Sequence, residues 1–158
     1  MMRSAILALA ALLHCCANAA GGLPDSVTGV WATASDTGTR TEMHLDADGL
    51  GMMIGSAAPL QHVDGKDGGQ SGPRPSIGFP VRVTLDGATL TAQPFLPSSK
   101  AGRAIPAVIC LHNEAAAAMT CTGPDGVPIA LTRREATVSL DASRTLDSIR
   151  RMASPSSR

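Results

Sequence analysis

The chain has 158 residues with 13 basic and 13 acidic side chains, so its net charge points to no charged partner. It contains no basic run or stripe, which argues against a nucleic-acid-binding surface. Aromatic residues make up 2% of the chain and tyrosine is absent, so stacking on bases or sugars is not expected. This length suffices for one domain, whose core must consist of aliphatic side chains and methionine.

The amino terminus has the three parts of a secretory signal peptide. Arg3 supplies the positive end, residues 4–16 form an apolar run, and residues 17–19 read Ala-Asn-Ala. The run is shorter than the roughly 20 residues that a membrane-spanning helix needs. We therefore expect cleavage near Ala19 and a periplasmic or secreted mature chain without an integral membrane segment. A lipid anchor on Cys15 or Cys16 is the alternative, but the residues before them are not the small ones that bacterial lipoproteins use.

The first part of the mature chain predicts a strand at 27–34 and then a hairpin of strands 39–46 and 50–56. Apolar and polar residues alternate along this hairpin, which is typical of half-buried antiparallel strands. A loop at 46–49 would set Leu45 opposite Leu50 and Met43 opposite Met52. The predicted buried face contains Met43, Leu45, Leu50, Met52 and Ile54.

Residues 57–76 are rich in glycine, proline and polar residues and show neither helical nor strand periodicity. About 20 residues is long for a connection, so this segment is predicted to be either a mobile loop or a functional one. Strands 78–85 and 88–95 follow, joined by Asp86-Gly87, a two-residue type I′ turn signal. That turn pairs residues on one apolar face: Leu85 with Ala88, Val83 with Leu90, and Val81 with Ala92.

Two cysteines lie in the next predicted hairpin, formed by strands 104–112 and 118–123. A loop at 114–117 sets Cys110 opposite Cys121, Leu111 opposite Thr120 and His112 opposite Met119, a spacing that a cross-strand disulfide can bridge. Removing the signal peptide leaves only these two cysteines, and an exported protein meets an oxidising compartment. We therefore expect a structural Cys110–Cys121 disulfide. A redox pair or a metal site is the alternative, but no C-x-x-C motif supports it.

The last elements are a strand at 127–134 and a helix from about 142 to 153. Asp141 is suited to cap the helix, and Leu146, Ile149 and either Met152 or Ala153 recur at helical spacing. Eight sequential strands with mostly short links predict a mainly β fold, an antiparallel up-and-down β-barrel with a carboxy-terminal helix. The predicted organisation is a signal peptide at 1–19, a barrel at 20–138, and a helix and tail at 139–158. An incompletely closed barrel is the alternative, because four prolines fall inside predicted strands: Pro80, Pro94, Pro106 and Pro128.

Two short motifs carry a resemblance to the calycin group of small barrels, and to lipocalins in particular. They are Gly29-Val30-Trp31 near the start and Leu131-Thr132-Arg133 near the end. In lipocalins a G-x-W motif on the first strand packs against an arginine on the last strand, and a helix follows. The resemblance implies that Trp31 closes the barrel with Arg133 or Arg134. The first hairpin also resembles that of avidins, but the tryptophans that avidins place around biotin are absent, so biotin binding is not expected.

Three catalytic or metal-binding readings are weaker than ordinary structural ones. Residues 69–72 with His62 suggest a serine hydrolase but lack the G-x-S-x-G spacing. Residues 64–69 and 46–49 suggest calcium loops but lack the alternating oxygen ligands, and turn formation explains both. Residue types that bind copper also occur in the chain: Met43, Met52, Met53, Met119, His44 and His112. The better explanation is that methionine fills a core that is poor in aromatic residues. We expect no catalytic set, metal or cofactor.

The sequence therefore predicts an exported, non-catalytic binding protein. Its partner would be a small apolar molecule held inside the barrel, in a cavity lined by Met43, Met52, Ile54, Val81, Val83 and Leu90. The alternative is a secreted inhibitor or interaction protein. In that case the segments 57–76 or 97–103 would contact an envelope or extracellular enzyme.

Overall fold

The computed structural model describes residues 22–34, 38–58, 75–96 and 105–153. The predicted signal peptide and most of the segments 57–76 and 97–103 lie outside the described residues. The described part contains eight strands and one helix. These are β1 (Gly29–Ala32), β2 (Arg40–Leu45), β3 (Leu50–Ser56), β4 (Ser76–Asp86), β5 (Thr89–Pro94), β6 (Val108–Asn113), β7 (Ala118–Thr122), β8 (Pro128–Glu135) and α1 (Leu140–Ala153).

The strands form a closed antiparallel barrel in which each strand pairs with the next and β8 pairs with β1. This confirms the predicted up-and-down barrel, and closure removes the exposed sheet edges that an open sheet would have. The β1–β2, β3–β4, β5–β6 and β7–β8 connections meet at one end, which we call the upper end. The other connections, the amino-terminal turn and the start of α1 lie at the lower end. Three of the prolines avoid strand interiors, since Pro94 ends β5, Pro128 begins β8 and Pro106 lies outside the strands. Pro80 lies inside β4, directly before the residue at which pairing with β5 begins.

The predicted register of the β2–β3 hairpin is wrong by one residue. Met43 pairs with Met53 and Leu45 pairs with Gly51. Asp46 N donates to Leu50 O at 2.9 Å, so the turn contains residues 47–49 and not 46–49. Because side chains alternate across a strand, this single shift reverses the two faces of β3. Met53 therefore lies in the barrel core at 6% exposure.

The hairpin of β4 and β5 is shifted by two residues from the predicted register. Leu85 pairs with Leu90 and Val83 pairs with Ala92, which leaves Gly87-Ala88 as the turn. Gly87 has a φ of 57° and Ala88 does not share the positive φ, a pattern that matches a type II′ turn. A shift of two residues keeps every side chain on its face. The predicted apolar face therefore survives, although the predicted pairs do not.

The cysteine hairpin has the predicted register, with Cys110 opposite Cys121 and His112 opposite Met119. The two cysteines form a disulfide with an S–S distance of 2.08 Å. Both half-cystines are buried, at 0% and 1% exposure, within the core that fills the barrel. The disulfide therefore joins β6 and β7 from inside the barrel.

Helix α1 covers part of the outer surface of the barrel. Its buried residues Leu146 and Ile149 pack with Leu50 of β3 in a second apolar cluster, to which Met52 also contributes. Ser139 Oγ accepts a hydrogen bond from Ala142 N at 3.3 Å, so Ser139 caps the helix and the predicted cap, Asp141, lies in its first turn.

Two further features decide how α1 sits on the barrel. Met152 is 61% exposed, so Ile149 is the last buried residue of the helix. Arg150 anchors the helix to the β2–β3 turn by donating to Asp46 Oδ2 at 2.5 Å and Asp48 Oδ2 at 2.7 Å.

Candidate functional site

The lower end of the barrel is closed around Trp31, which is fully buried. Trp31 pairs with Arg133 between β1 and β8, and the Arg133 guanidinium lies 5.9 Å from the centroid of the indole ring. Trp31 Nε1 donates to Val27 O at 2.8 Å. This is the pair of residues that the resemblance to lipocalins implies, in a position to close the barrel.

Arg133 also holds the amino-terminal turn against the end of the barrel. Its guanidinium donates to the carbonyl oxygens of Thr28, at 2.7 Å, and of Asp25. A third carbonyl, that of Ala136, accepts at 3.4 Å from the same side chain. Arg134 instead donates to Thr33 O at 2.9 Å, away from the indole. Because these acceptors belong to the backbone, the hydrogen bonds of Arg133 join β8 to the amino-terminal turn.

His112 completes the inner side of this end. Its ring meets Trp31 edge-on, with 5.5 Å between ring centroids and an interplanar angle of 89°. Its Nε2 atom is buried and has no hydrogen-bond partner among the described residues. A buried nitrogen without a partner costs free energy of folding, so His112 contributes packing here and not a satisfied polar interaction.

The interior of the barrel is occupied by side chains. Four of the six predicted cavity-lining residues, Met43, Val81, Val83 and Leu90, belong to one buried cluster and are at most 6% exposed. The shift of β3 removes the other two, Met52 and Ile54, from the face that Met43 occupies. The space between these residues is filled by other large side chains of the same cluster, which include Trp31, Leu45, Met53, Met119 and Leu131. An eight-stranded barrel has an interior just wide enough to be filled in this way.

A shallow cleft of about 330 Å³ lies outside the barrel interior, at the lower end. It is bounded by the amino-terminal turn, the β2–β3 turn and the lead into α1, and its lining includes Asp25, Asp46, Thr28, Thr137 and Ser143. Asp46 is engaged by Arg150 and by the backbone of Ala47. The lining also includes apolar residues such as Leu45, Ala136 and Val138, so the cleft is mixed in character and lies apart from the predicted cavity inside the barrel.

Apolar side chains are exposed at the upper end. Ile77 near the start of β4 is 72% exposed, Val127 before β8 is 56% exposed, and Ile105 before β6 is 39% exposed. Leu96, just after β5, is 54% exposed at the same end. We call these four residues the upper rim. These residues share one end of the barrel, and exposed apolar side chains at a common end make that end a candidate interaction surface.

Sequence reasoning did not single out the upper rim. Ile105 and Val127 were assigned to the starts of the predicted strands 104–112 and 127–134. Ile77 and Leu96 fell at the two ends of the predicted β4–β5 hairpin, where periodicity gives no information about neighbours. The sequence feature that could have indicated the upper rim is the occurrence of single branched apolar residues next to segments rich in glycine, proline and polar residues.

The catalytic and metal readings find no support in the described residues. No group of three or more His, Cys, Asp or Glu side chains that could hold a metal is present in the described part of the chain. The carboxylates of Asp46 and Asp48, at the β2–β3 turn, accept hydrogen bonds from Arg150 and from backbone amides. Of the methionines considered for copper, Met43, Met53 and Met119 belong to the barrel core and Met52 lies outside it, so Met52 and Met53 have the reverse of the predicted orientation. Residues 62–72, which carry the hydrolase and second calcium readings, lie outside the described residues.

Comparison of the chain with protein-family models, with curated proteins and with solved structures found no match. The eight-stranded barrel with its carboxy-terminal helix is consistent with a lipocalin-like fold. Among the described residues, no helix is both long and apolar enough to cross a membrane. The buried disulfide fits a protein that matures in the periplasm or outside the cell.

Proposed function

We propose that this protein is exported by a cleaved amino-terminal signal peptide and acts, without catalysis, as an interaction protein that binds another protein through the upper end of its barrel. The observation that carries the proposal is the upper rim. Its members are exposed at the end where the long segments 57–76 and 97–103 leave the barrel. The lower end, in contrast, is closed by Trp31 and Arg133.

The partner that best fits an exported barrel of this size is an envelope or extracellular enzyme, which the protein would inhibit by covering its active-site surface. Exposed isoleucine and valine side chains can enter apolar pockets of such an enzyme, and a few buried apolar anchors supply most of the free energy of typical protein interfaces. The disulfide holds β6 and β7 rigid, so the rim residues before β6 and β8 are presented on a preorganised frame. Preorganisation lowers the entropy cost of binding.

The test is a binding and inhibition assay with purified exported hydrolases, including muramidases, proteases and lipases. We expect at least one enzyme to be bound and inhibited by the mature protein. The variants Ile77→Glu and Val127→Glu should each weaken that binding by about tenfold or more, the usual effect of losing an interface anchor. Leu111→Glu is the matched control, because Leu111 is 61% exposed but lies on the outer face of β6. Equal loss in the control, or no bound enzyme, would refute the proposal.

The second candidate is the binding of a small apolar molecule inside the barrel. The sequence favours it, because the strands offer a continuous aliphatic face, but the filled interior means that a ligand would have to displace core side chains. A thermal shift assay with a lipid and metabolite panel tests it directly. A ligand inside the barrel should stabilise the protein in a saturable way, and this stabilisation should be lost in the core variant Leu90→Phe and kept in Ile77→Glu. That result would favour a small-molecule ligand over a protein partner.

A further inference from the structure

A stretch of β4 at the upper end of the barrel has a strand on only one side. β4 pairs with β3 from Ser76 onward, but its pairing with β5 begins only at Val81. In the described part of the chain, residues 76–79 therefore have no strand on the side away from β3. We call residues 76–79 the β4 edge.

The directions of the backbone groups at the β4 edge follow from hydrogen bonds on both sides of the strand. Pro80 O accepts from Phe95 N at 3.1 Å, which places the backbone groups of residue 80 on the β5 side. Val83 N donates to Gly49 O at 2.7 Å on the β3 side. Because these directions alternate along a strand, Ser76 and Gly78 point both their N–H and C=O groups toward the open side.

We propose that two copies of this chain pair antiparallel along their β4 edges, related by a two-fold axis at Ile77. In this register Ser76 of one copy lies opposite Gly78 of the other, and each such pair exchanges both of its hydrogen bonds. Ile77 then faces its own counterpart at the closely spaced, non-hydrogen-bonded position. Its side chain, 72% exposed in the single chain, becomes covered.

The sequence around the β4 edge favours a second copy as the occupant. Residues 75–81 read Pro-Ser-Ile-Gly-Phe-Pro-Val and carry no charge, so self-pairing brings no like charges together. Gly78 has no side chain to obstruct the partner strand. An isologous interface needs a surface that complements itself, and an antiparallel strand pair about a two-fold axis provides one.

The same features limit the assembly to two copies. The prolines at 75 and 80 bound the segment, and proline is a common device for restricting pairing at exposed edges. Pairing about a two-fold axis uses the β4 edge of both copies, so no β4 edge is left for a third copy. The interface is much smaller than the roughly 1,600 Å² of a standard stable complex, so the dimer should be weak and reversible. Self-pairing needs no partner protein and can hold or fail independently of the proposed function.

Sedimentation equilibrium of the purified mature protein alone, from about 10 µM to about 1 mM, tests the inference over the range of weak affinities. We expect the wild-type chain to shift from monomer to dimer as concentration rises. Gly78→Pro removes the N–H that points away from β3 and should leave a monomer throughout. Gly78→Ala is the matched control: it keeps the N–H, and an added Cβ would meet no atom closer than 3.6 Å. It should therefore dimerise like the wild type.

Hydrogen exchange on the wild-type chain provides a second test that does not depend on how the proline variant folds. The amides of Ser76 and Gly78 should become protected as concentration rises, while exposed amides elsewhere keep their rates. A monomeric wild type at about 1 mM would overturn the proposal, as would a dimer that persists in folded Gly78→Pro. A concentration-dependent dimer that leaves both amides unprotected would overturn it as well.

Discussion

The register of β3 makes a prediction that separates two neighbouring methionines. Met53 is 6% exposed in the barrel core, whereas Met52 is partly buried beneath α1 on the outer surface. Met53→Ala removes three buried heavy atoms, which at about 0.8 kcal/mol for each methylene-sized group costs about 2.4 kcal/mol. The cavity that remains raises the expected cost to about 3–4 kcal/mol. Met52→Ala removes the same atoms from a half-exposed site and should cost about 1 kcal/mol.

Equilibrium unfolding in urea, with the disulfide kept oxidised, measures both costs. With a slope of about 2 kcal/mol per molar urea, the midpoint should fall by about 1.5–2 M for Met53→Ala and by about 0.5 M for Met52→Ala. Similar slopes for the two variants and the wild type would show that the two-state comparison is valid. If Met52→Ala is the more damaging variant, β3 has the register that the alternation of the sequence predicted, and the barrel core described above is wrong.

Three other predictions concern the lower end, the core and the β2–β3 turn. His112→Phe keeps a ring against the buried indole and removes the buried Nε2 atom that has no partner. Thermal unfolding should therefore show a stability equal to that of the wild type or up to about 1 kcal/mol higher. A lower stability would mean that this nitrogen has a hydrogen-bond partner in the folded protein. Replacing both Cys110 and Cys121 by alanine should lower the free energy of unfolding by about 3 kcal/mol, because the disulfide no longer restricts the unfolded chain. A urea titration of this variant against the oxidised wild type measures the loss. An unchanged midpoint would contradict the structural role of the disulfide. The hydrogen bond from Arg150 lowers the pKa of Asp48 below the ordinary value of an aspartate, 3.8. The stabilisation from this pair is therefore present above about pH 3.8 and is lost as pH falls through the lower folded-state pKa. Because the Arg150–Asp48 pair is partly exposed, Arg150→Met should lower the free energy of unfolding by less than about 1 kcal/mol at pH 7. It should also flatten the dependence of stability on pH in the acidic range. An unchanged pH dependence would refute the assignment of this effect to the Arg150–Asp48 pair.

The parts of the fold that the sequence predicted are those where local signals agree. The loop at 114–117 and the pairing of two cysteines each require the same register, so the β6–β7 hairpin was predicted residue by residue. In the β4–β5 hairpin the Asp86-Gly87 dipeptide favoured one turn, while Gly87-Ala88 with a positive φ at Gly87 is the turn that forms. Both turns keep the same aliphatic face buried, so alternation could not choose between them.

The candidate site was harder to predict than the barrel. An up-and-down barrel can be recognised from alternation within each strand, but whether its interior is empty depends on how side chains from all eight strands fit together. Leu45, Met119 and Leu131 fill the space predicted for a ligand, and they come from strands far apart in sequence. The upper rim gathers residues from three different connections, and no periodic pattern links Ile77 with Val127. Their shared location at one end of the barrel becomes visible only when the strands are assembled.

The reversal of β3 shows where the missing information lies. Met52 and Met53 are adjacent, so either register buries one methionine in the barrel, and alternation within the hairpin cannot decide between them. The choice is made by residues almost a hundred positions later. Leu146 and Ile149 of α1 need an apolar surface on the outside of the barrel, and Leu50 and Met52 provide it only in the observed register. In that register one face of β3 fills the barrel and the other receives the helix, so both apolar faces are buried. The predicted register would have left α1 without this apolar surface, which is why the helix and the strand must be considered together.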